Sequence, residues 1–114
     1  MQRLKRRRDF IAAAKALHAA TPSLVVQARN RKDAAAPRIG FTVTKKQGNA
    51  VARNRIKRRL REIARLHLGA EAHAGFDYVL IGRTPAMERD FSDLRKDLNS
   101  ALKRLHRTPH GVAE

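Results

Sequence analysis

A dense group of positively charged side chains lies in residues 48–62, which read GNAVARNRIKRRLRE. This segment holds six Lys or Arg residues and a single acid, Glu62. The planar guanidinium of arginine binds phosphate oxygens in pairs, whereas like charges four residues apart on a helix repel one another. A helix built for stability alone would avoid this arrangement. The segment therefore predicts a surface that binds the phosphates of a polyanion, and nucleic acid is the polyanion that fits best.

The same sequence offers little for catalysis by protein groups. It contains no cysteine, which excludes disulfides and thiolate metal sites, and its five histidines do not cluster. His106 and His110 have a helical spacing, but no third metal ligand accompanies them. No nucleophile with a paired general acid and base is evident. We therefore expect no catalytic residue in the protein, and the sequence identifies no metal-binding side chain.

The cations need an element that presents them, and a helix over residues 50–68 is predicted. Gly48 and Asn49 mark the break before it. On a helical wheel the apolar residues share one stripe and the cations spread over the other sides. The stripe consists of Ile56, Leu60, Ile63 and Ala64. The helix should pack through this stripe and expose its cations.

Three segments have the patterns of strands. Residues 24–28 and 38–44 are rich in β-branched and aromatic residues, and the second alternates with period two. The short link between them predicts an antiparallel pair. Residues 76–82 are continuously apolar at their centre, which is typical of an interior strand.

Two further helices complete the predicted elements. Residues 9–19 form an amphipathic pattern with Asp9 as the expected N-cap. Thr84 and Pro85 are expected to open the last helix as N-cap and first helical residue. Its apolar face should consist of Phe91, Leu94, Leu98, Ala101 and Leu105. Together with the strands, these elements predict one α+β domain.

The charge is concentrated in one part of the chain. The 26 Lys or Arg residues exceed the 10 acids by a net +16, and the pI is about 11.7. Residues 1–68 hold nineteen of the bases and three of the acids, whereas the remainder holds seven of each. This asymmetry favours a polyanion-binding face over a general solubility role.

No apolar run approaches the ~20 residues of a membrane span. The Arg-rich N-terminus shares its composition with transit peptides but lacks their serine content, so we expect a soluble, cytoplasmic protein with no membrane partner.

A longer motif gives the basic helix a family context. Residues 40–62 read GFTVTKKQGNAVARNRIKRRLRE, which resembles the signature of the bacterial ribonuclease P protein subunit almost without interruption. Arg3-Leu4-Lys5 with Asp9-Phe10 resembles the opening of that family, and residues 77–81 with the last helix resemble its close. The resemblance covers roughly residues 3–107.

The resemblance implies a fold and a function. The fold would be an α-β-β-β-α-β-α sandwich with a central mixed sheet and a left-handed crossover, as in a ribosomal-protein domain, and its extra strand is expected near residues 20–23. Residues 1–107 would form the RNA-binding domain and residues 108–114 a flexible tail. The protein would bind ribonuclease P RNA and precursor tRNA, and no obligate protein partner is evident. The RNA subunit, with Mg²⁺ that it mainly binds, would hydrolyse the phosphodiester bond that releases the 5′ leader.

The motif also implies roles for individual residues. The RNA-subunit contacts would be Arg53, Asn54, Arg55, Lys57, Arg58 and Arg61, with Lys45 and Lys46 at the preceding strand end. The leader would bind Phe10, Val26 and Lys45. Many relatives have aromatic residues where this chain has Ala14 and Gln27, so the leader preference of this protein is open.

Alternatives remain at this point. A structural RNA binder, such as a ribosomal protein, would have the same composition and charge asymmetry, and only the motif favours the ribonuclease P subunit. A DNA-binding protein with a major-groove helix is disfavoured, because no helix-turn-helix spacing or dimer seam is present. Phe10 also fits a core position of an amphipathic helix, and Lys45 and Lys46 fit an ordinary strand end.

Overall fold

A five-stranded mixed sheet forms the centre of the computed structural model, which describes residues 2–107. The strands are β1 (Gln2–Arg3), β2 (Leu17–Ala20), β3 (Leu24–Asn30), β4 (Arg38–Thr42) and β5 (Phe76–Gly82). In the sheet they lie in the order β1-β4-β5-β3-β2. The helices are α1 (Arg7–Ala14), α2 (Ala50–Ile63), the short α3 (Gly69–Glu71) and α4 (Phe91–Arg107). The α+β prediction is confirmed.

Strand β5 is the central strand, as its continuous apolar run predicted. It pairs antiparallel with β3 and parallel with β4. The predicted antiparallel pairing of β3 with β4 is therefore wrong, although both strands exist. Because β5 is apolar on both faces, burying it between β3 and β4 removes more apolar surface from water than a direct β3–β4 pair would.

The first predicted helix is too long, because its second half is a strand. Helix α1 ends at Ala14, and Leu17–Ala20 pairs antiparallel with β3. The extra strand expected near residues 20–23 thus lies three residues earlier. Alanine is the strongest helix former, but the hydrogen bonds that pair residues 17–20 with β3 override this local preference.

The last helix begins later than predicted. Residues Thr84–Met87 form a separate 3₁₀ turn, and α4 starts at Phe91. Thr84 does not cap a helix, because its hydroxyl donates to Gln47 Oε1 at 2.6 Å. Its backbone N–H donates to the same oxygen at 2.7 Å. Thr84 therefore holds the loop that precedes α2.

Apolar side chains pack on both faces of the sheet. On one face, α2 and α4 cover the main core, which includes Leu24, Val26, Tyr78 and Leu80 of the strands. All four predicted stripe residues of the basic helix are buried in this core, which confirms the wheel. On the other face α1 covers a smaller α1-side core built from Leu4, Ala13 and Val79, against which Phe10 and Ile81 pack. Within residues 2–107, no helix combines the length and apolar character that crossing a bilayer requires.

The basic helix ends in an irregular turn. α2 is α-helical to Ile63 and continues as a π-helical turn over Ala64–Leu68 before α3. The helix predicted over residues 50–68 is therefore α-helical only to Ile63, and residue 68 is the last residue of the π-helical turn. The wider turn keeps Ala64 and Leu68 on the sheet while the chain changes direction.

A partly buried aromatic cluster around the buried Tyr78 joins the end of α4 to β5. The Tyr78 hydroxyl lies 2.7 Å from Nε2 of His106 and accepts a hydrogen bond from the His73 backbone N–H. The rings of His73 and His106 stack at 3.6 Å. Burial raises the pKa of Tyr78 to about 12, and burial together with His73 lowers the pKa of His106 to about 4. At neutral pH the tyrosine therefore donates to a neutral imidazole.

This cluster predicts an acid-sensitive contribution to stability. An unfolded histidine binds a proton near pH 6.5, so between pH 6.5 and 4 the unfolded state binds more protons at His106 than the folded state. We expect this residue to remove about 1 kcal/mol of the unfolding free energy between pH 7 and 4.5, a figure reduced for solvent screening. Urea unfolding of the wild type and His106→Gln at several pH values measures it. The plots of unfolding free energy against pH for the two proteins should converge as the pH falls, whereas parallel plots would contradict the assignment. His18→Gln, at an exposed strand position, is the control.

Candidate nucleic-acid interface

The exposed side of α2 carries cations that no carboxylate of residues 2–107 neutralises, although Arg53 donates through Nε to the Asn49 carbonyl at 3.4 Å. Asn49 caps the helix, since its Oδ1 accepts from the Ala52 N–H at 2.9 Å. We define the α2 basic surface as Arg53, Asn54, Lys57, Arg58 and Arg61. Within residues 2–107, none of its four cations forms an ion pair with a carboxylate. The surface therefore has uncompensated positive charge, which suits the phosphates of a polyanion.

Other arginines of the same helix serve the fold instead. Arg59 donates to the carbonyls of Ala86 at 2.9 Å and Arg89 at 2.6 Å, and its guanidinium lies 5.9 Å from the Phe91 ring centroid. These contacts join α2 to the loop before α4. The sequence wheel did not separate Arg59 from its neighbours, because its carbonyl acceptors lie 27 and 30 residues along the chain.

Arg55 and Arg65 also have partners. Arg55, a predicted RNA contact, donates through Nε to the Met87 carbonyl at 3.0 Å, so part of its guanidinium serves the fold. Arg65 binds Glu62 through two hydrogen bonds of 3.0 and 2.6 Å. The hydrogen bond from Arg65 lowers the pKa of Glu62. Glu62, the one acid of residues 48–62, thus neutralises Arg65, which is not part of the α2 basic surface.

Lys45 and Lys46 lie where the sequence placed them, between β4 and α2. They form a 3₁₀ turn, Lys45–Gln47, and both side chains are exposed. Gln47 anchors the turn through its two hydrogen bonds from Thr84. The anchored turn presents two more cations at the N-terminal end of α2.

Phe10 lies on the other face of the sheet. Its ring covers Gly40 of β4, where a Cβ atom would come within 2.5 Å of Phe10 Cε1. Glycine at this position therefore gives the ring its place on the strand. Phe10 packs against the α1-side core but keeps part of its surface accessible. It has the core role that helical spacing indicated, and its accessible part lies on the α1 face of the sheet, which we call the α1 groove.

Val26 does not join Phe10. It is fully buried in the main core, and its register partner is Leu80. Residues on a strand alternate between faces, so the neighbours Val25 and Gln27 lie on the α1 side, and both are partly exposed. The prediction that Val26 lines the α1 groove is wrong, because the sequence did not reveal which face of β3 meets α1.

A group of charged residues holds α1 against the sheet. We call it the Asp77 cluster: Asp9, Arg29, Arg31, Arg38 and Asp77. Arg29 lies 3.4 Å from Asp9 and 3.6 Å from Asp77, and Arg38 reaches the same two carboxylates at 3.6 and 2.8 Å. Arg31 also donates to Asp77, whose side chain is fully buried. Asp9 is thus a partner of the sheet and not the N-cap, because α1 already begins at Arg7.

The electrostatics of Asp77 favour its charged form. Burial alone would raise the pKa of Asp77, but hydrogen bonds from Arg38 and Arg31 outweigh it and lower the pKa. Hydrogen bonds to Asp77 likewise raise the pKa of Arg38. Sequence reasoning missed this cluster, and its one signal was an acid in an otherwise apolar strand. By fixing α1, the cluster also fixes the position of Phe10.

The described residues do not assemble a protein metal site. Between residues 2 and 107, no group of three or more His, Cys, Asp or Glu side chains is placed to hold an ion. Asp9 and Asp77, the acids closest to the α1 groove, are bound to arginines. The arrangement is suited to binding two nucleic-acid segments, one at α2 and one at the α1 groove.

Comparison with known proteins places this geometry in a family. The family model described as Ribonuclease P matches residues 1–106. The ribonuclease P protein component of Ruegeria pomeroyi is 52% identical over 106 residues, which cover 90% of this chain and 85% of that protein. The corresponding protein of Paramagnetospirillum magneticum is 47% identical over 110 residues, covering 92% and 83%.

Solved structures agree with the sequence relatives. The RNase P protein of Staphylococcus aureus superposes with a TM-score of 0.76 at 34% identity, over 93% of this chain and 96% of that one. The RNase P protein from Thermotoga maritima superposes with a TM-score of 0.74 at 36% identity, over 91% and 97%. The similarity thus extends over nearly the whole fold and includes both candidate surfaces.

Proposed function

Because this chain belongs to the bacterial ribonuclease P protein family, we propose that its α2 basic surface binds the RNA subunit of ribonuclease P and its α1 groove binds the 5′ leader of precursor tRNA. As the protein subunit of this tRNA-processing endoribonuclease, it supports removal of the leader. The chemistry belongs to the RNA subunit, and Mg²⁺ held mainly by that RNA assists hydrolysis of the phosphodiester bond. The protein contributes affinity for the RNA and positions the substrate, and it acts in the cytoplasm. Residues 1–107 form one RNA-binding domain, and the proposed tail, residues 108–114, lies outside the described residues.

One observation carries the assignment of α2. The cations of the α2 basic surface have no carboxylate partner among residues 2–107, although nearby arginines are satisfied by carbonyls or by Glu62. Leaving these charges uncompensated costs the free protein stability, and RNA phosphates would offset that cost. Lys45 and Lys46 extend the same charged surface and lie at the junction toward the leader.

The α1 groove supports a second binding surface. Phe10 offers an accessible aromatic ring for one base, and bases stack on aromatic side chains with about 1–3 kcal/mol each. Val25 and Gln27 replace Val26 as the strand residues of the groove. An amide at position 27 binds base edges by hydrogen bonds and not by stacking, so leader binding here depends on fewer stacked bases.

Reconstitution tests the proposed function. A bacterial ribonuclease P RNA and a precursor tRNA are incubated at low Mg²⁺ with and without the protein, and release of the leader is measured. We expect the protein to stimulate cleavage, because its cations replace part of the charge screening that Mg²⁺ provides. Absence of stimulation, with a folded protein confirmed by circular dichroism, would overturn the proposal. It would instead favour a structural RNA-binding role.

The groove assignment makes a separate prediction for Phe10→Ala. Loss of one stacking surface should weaken precursor binding about fivefold or more, while binding of mature tRNA, which lacks a leader, stays nearly unchanged. Ile11→Ala is the matched control, since Ile11 is a neighbouring apolar residue that is 46% exposed on the same helix. Equal losses for precursor and mature tRNA would contradict the leader assignment. Both affinities can be measured with the holoenzyme in Ca²⁺.

A further inference from the structure

A pocket of about 270 Å³ lies between the β1 edge of the sheet and the C-terminal part of the basic helix. Its floor is apolar and consists of Ile39, Ala64 and Leu68, all of them buried. The half-buried Phe41 forms one wall. We call this site the Phe41 pocket. It opens to solvent on the α2 side of the sheet, away from Phe10.

Three arginines form the rim of the Phe41 pocket. They are Arg3, Arg61 and Arg65. Arg3 holds its guanidinium 5.2 Å from the Phe41 ring centroid, in a cation–π contact. Arg65 is partly neutralised by Glu62, whereas Arg3 and Arg61 have no carboxylate partner within residues 2–107. No carboxylate lines the pocket among the described residues.

The combination restricts what the pocket can bind. A bare phosphate would use the arginines but not the apolar floor, whereas an apolar peptide would cover the floor and leave guanidinium groups desolvated. A nucleotide uses both, because its base has apolar faces and its phosphate accepts bidentate hydrogen bonds from arginine. The lining is therefore complementary to a nucleotide in polarity and charge.

We propose that the Phe41 pocket holds one unpaired nucleotide of the ribonuclease P RNA, with its base packed on the apolar floor beside Phe41 and its phosphate bound by Arg3 and Arg61. The inference rests on the proposed function and deepens it by adding a base-binding site to a surface otherwise made of phosphate contacts. Arg61 belongs to both the pocket and the α2 basic surface, which makes the two continuous. Arg3, whose register partner is Ile39, lies on this face, while Phe10 and the leader groove lie on the other.

Two substitutions separate the base from the phosphate. Phe41→Leu keeps an apolar wall but removes the aromatic ring, and we expect it to weaken RNA-subunit binding about tenfold with an unchanged slope of log K against log salt. Arg3→Ala removes an exposed cation without disturbing the core, and it should reduce the magnitude of that slope by about one. Arg7→Ala, an exposed arginine on α1 outside the pocket, is the control of equal charge and should change affinity less than about twofold.

Chemical probing of the bound RNA provides the direct readout. One unpaired base should be protected by the wild type and by Arg7→Ala, and become reactive with Phe41→Leu. If wild-type protein binds the RNA subunit but Phe41→Leu and Arg3→Ala match it in affinity, slope and protection, the pocket proposal fails and the proposed function stands. If wild-type protein neither binds the RNA subunit nor stimulates cleavage, both fail. Free AMP is a further probe: tight AMP binding together with unchanged RNA affinity of the variants would assign the pocket to a mononucleotide and overturn the proposal.

Discussion

Replacing Asp77 with asparagine is expected to lower the free energy of unfolding by about 3 kcal/mol, because a buried carboxylate is lost from between arginines that the fold cannot move away. The Asp77 side chain is 0% exposed, and it accepts hydrogen bonds from Arg31 and Arg38. Asparagine preserves the shape and one acceptor oxygen but removes the buried counter-ion. Within the described residues, Arg38 then keeps only Asp9, at 3.6 Å, and Arg31 keeps only the exposed Asp33. Urea unfolding at pH 7, followed by circular dichroism, measures the loss.

Asp33→Asn is the matched control for this prediction. Asp33 also pairs with Arg31, at 3.1 Å, but its side chain is 47% exposed. Exposed ion pairs contribute little, so we expect a loss below about 1 kcal/mol. A similar cost for the two variants would show that burial of Asp77 does not matter, contrary to the expectation.

Asp77 should also govern part of the acid sensitivity of the protein. Its folded-state pKa is lowered, so its stabilising contribution is complete above the ordinary aspartate pKa of about 3.9 and is lost as the pH falls through the lower folded-state value. The wild type should therefore lose more stability in strong acid than Asp77→Asn does. Because Arg29 and Arg38 bridge Asp77 to Asp9 on α1, the variant should also loosen the groove that contains Phe10.

The second large effect concerns RNA affinity. The double substitution Arg58→Ala, Arg61→Ala should weaken binding to the RNA subunit by at least about tenfold at physiological salt. It should also reduce the magnitude of the slope of log K against log salt by about two. Both residues are exposed and, within the described part of the chain, unpaired with any carboxylate. Their removal also relieves repulsion along α2, so thermal stability should be unchanged or slightly higher. Filter binding over a range of salt concentrations measures the slope.

Arg59→Ala gives the opposite pattern and serves as the control. Its guanidinium donates to two backbone carbonyls, and hydrogen bonds from charged groups contribute about 1.5–3 kcal/mol. We expect a loss of stability with an unchanged salt slope. If Arg59→Ala lowered the slope as much as Arg58→Ala does alone, the division of α2 into phosphate-binding and fold-supporting arginines would be wrong.

Local patterns account for the parts of the fold that the sequence predicted well. The stripe of Ile56, Leu60 and Ile63 is buried as the wheel required, since helical periodicity depends only on residues within a few turns. The apolar run of β5 likewise identified the central strand. The predicted helix ends were wrong where non-local hydrogen bonds decided the boundary. Residues 17–20 pair with β3, and Thr84 binds Gln47, so that α4 begins at Phe91.

The sequence by itself determined that the chain is an RNA-binding α+β domain of this family, because charge asymmetry, apolar periodicity and a continuous motif are all properties of composition and spacing. Only the tertiary structure decided how chemically identical residues divide their roles. Arg58 and Arg59 are neighbours, yet one faces solvent and the other binds carbonyls 27 and 30 residues away. Val26 faces the main core because strand register, which is set by distant partners, determines which face each side chain takes. The Asp77 cluster likewise joins side chains up to 48 residues apart, as in the contact between Arg29 and Asp77, and contacts at that separation leave no local pattern in the sequence.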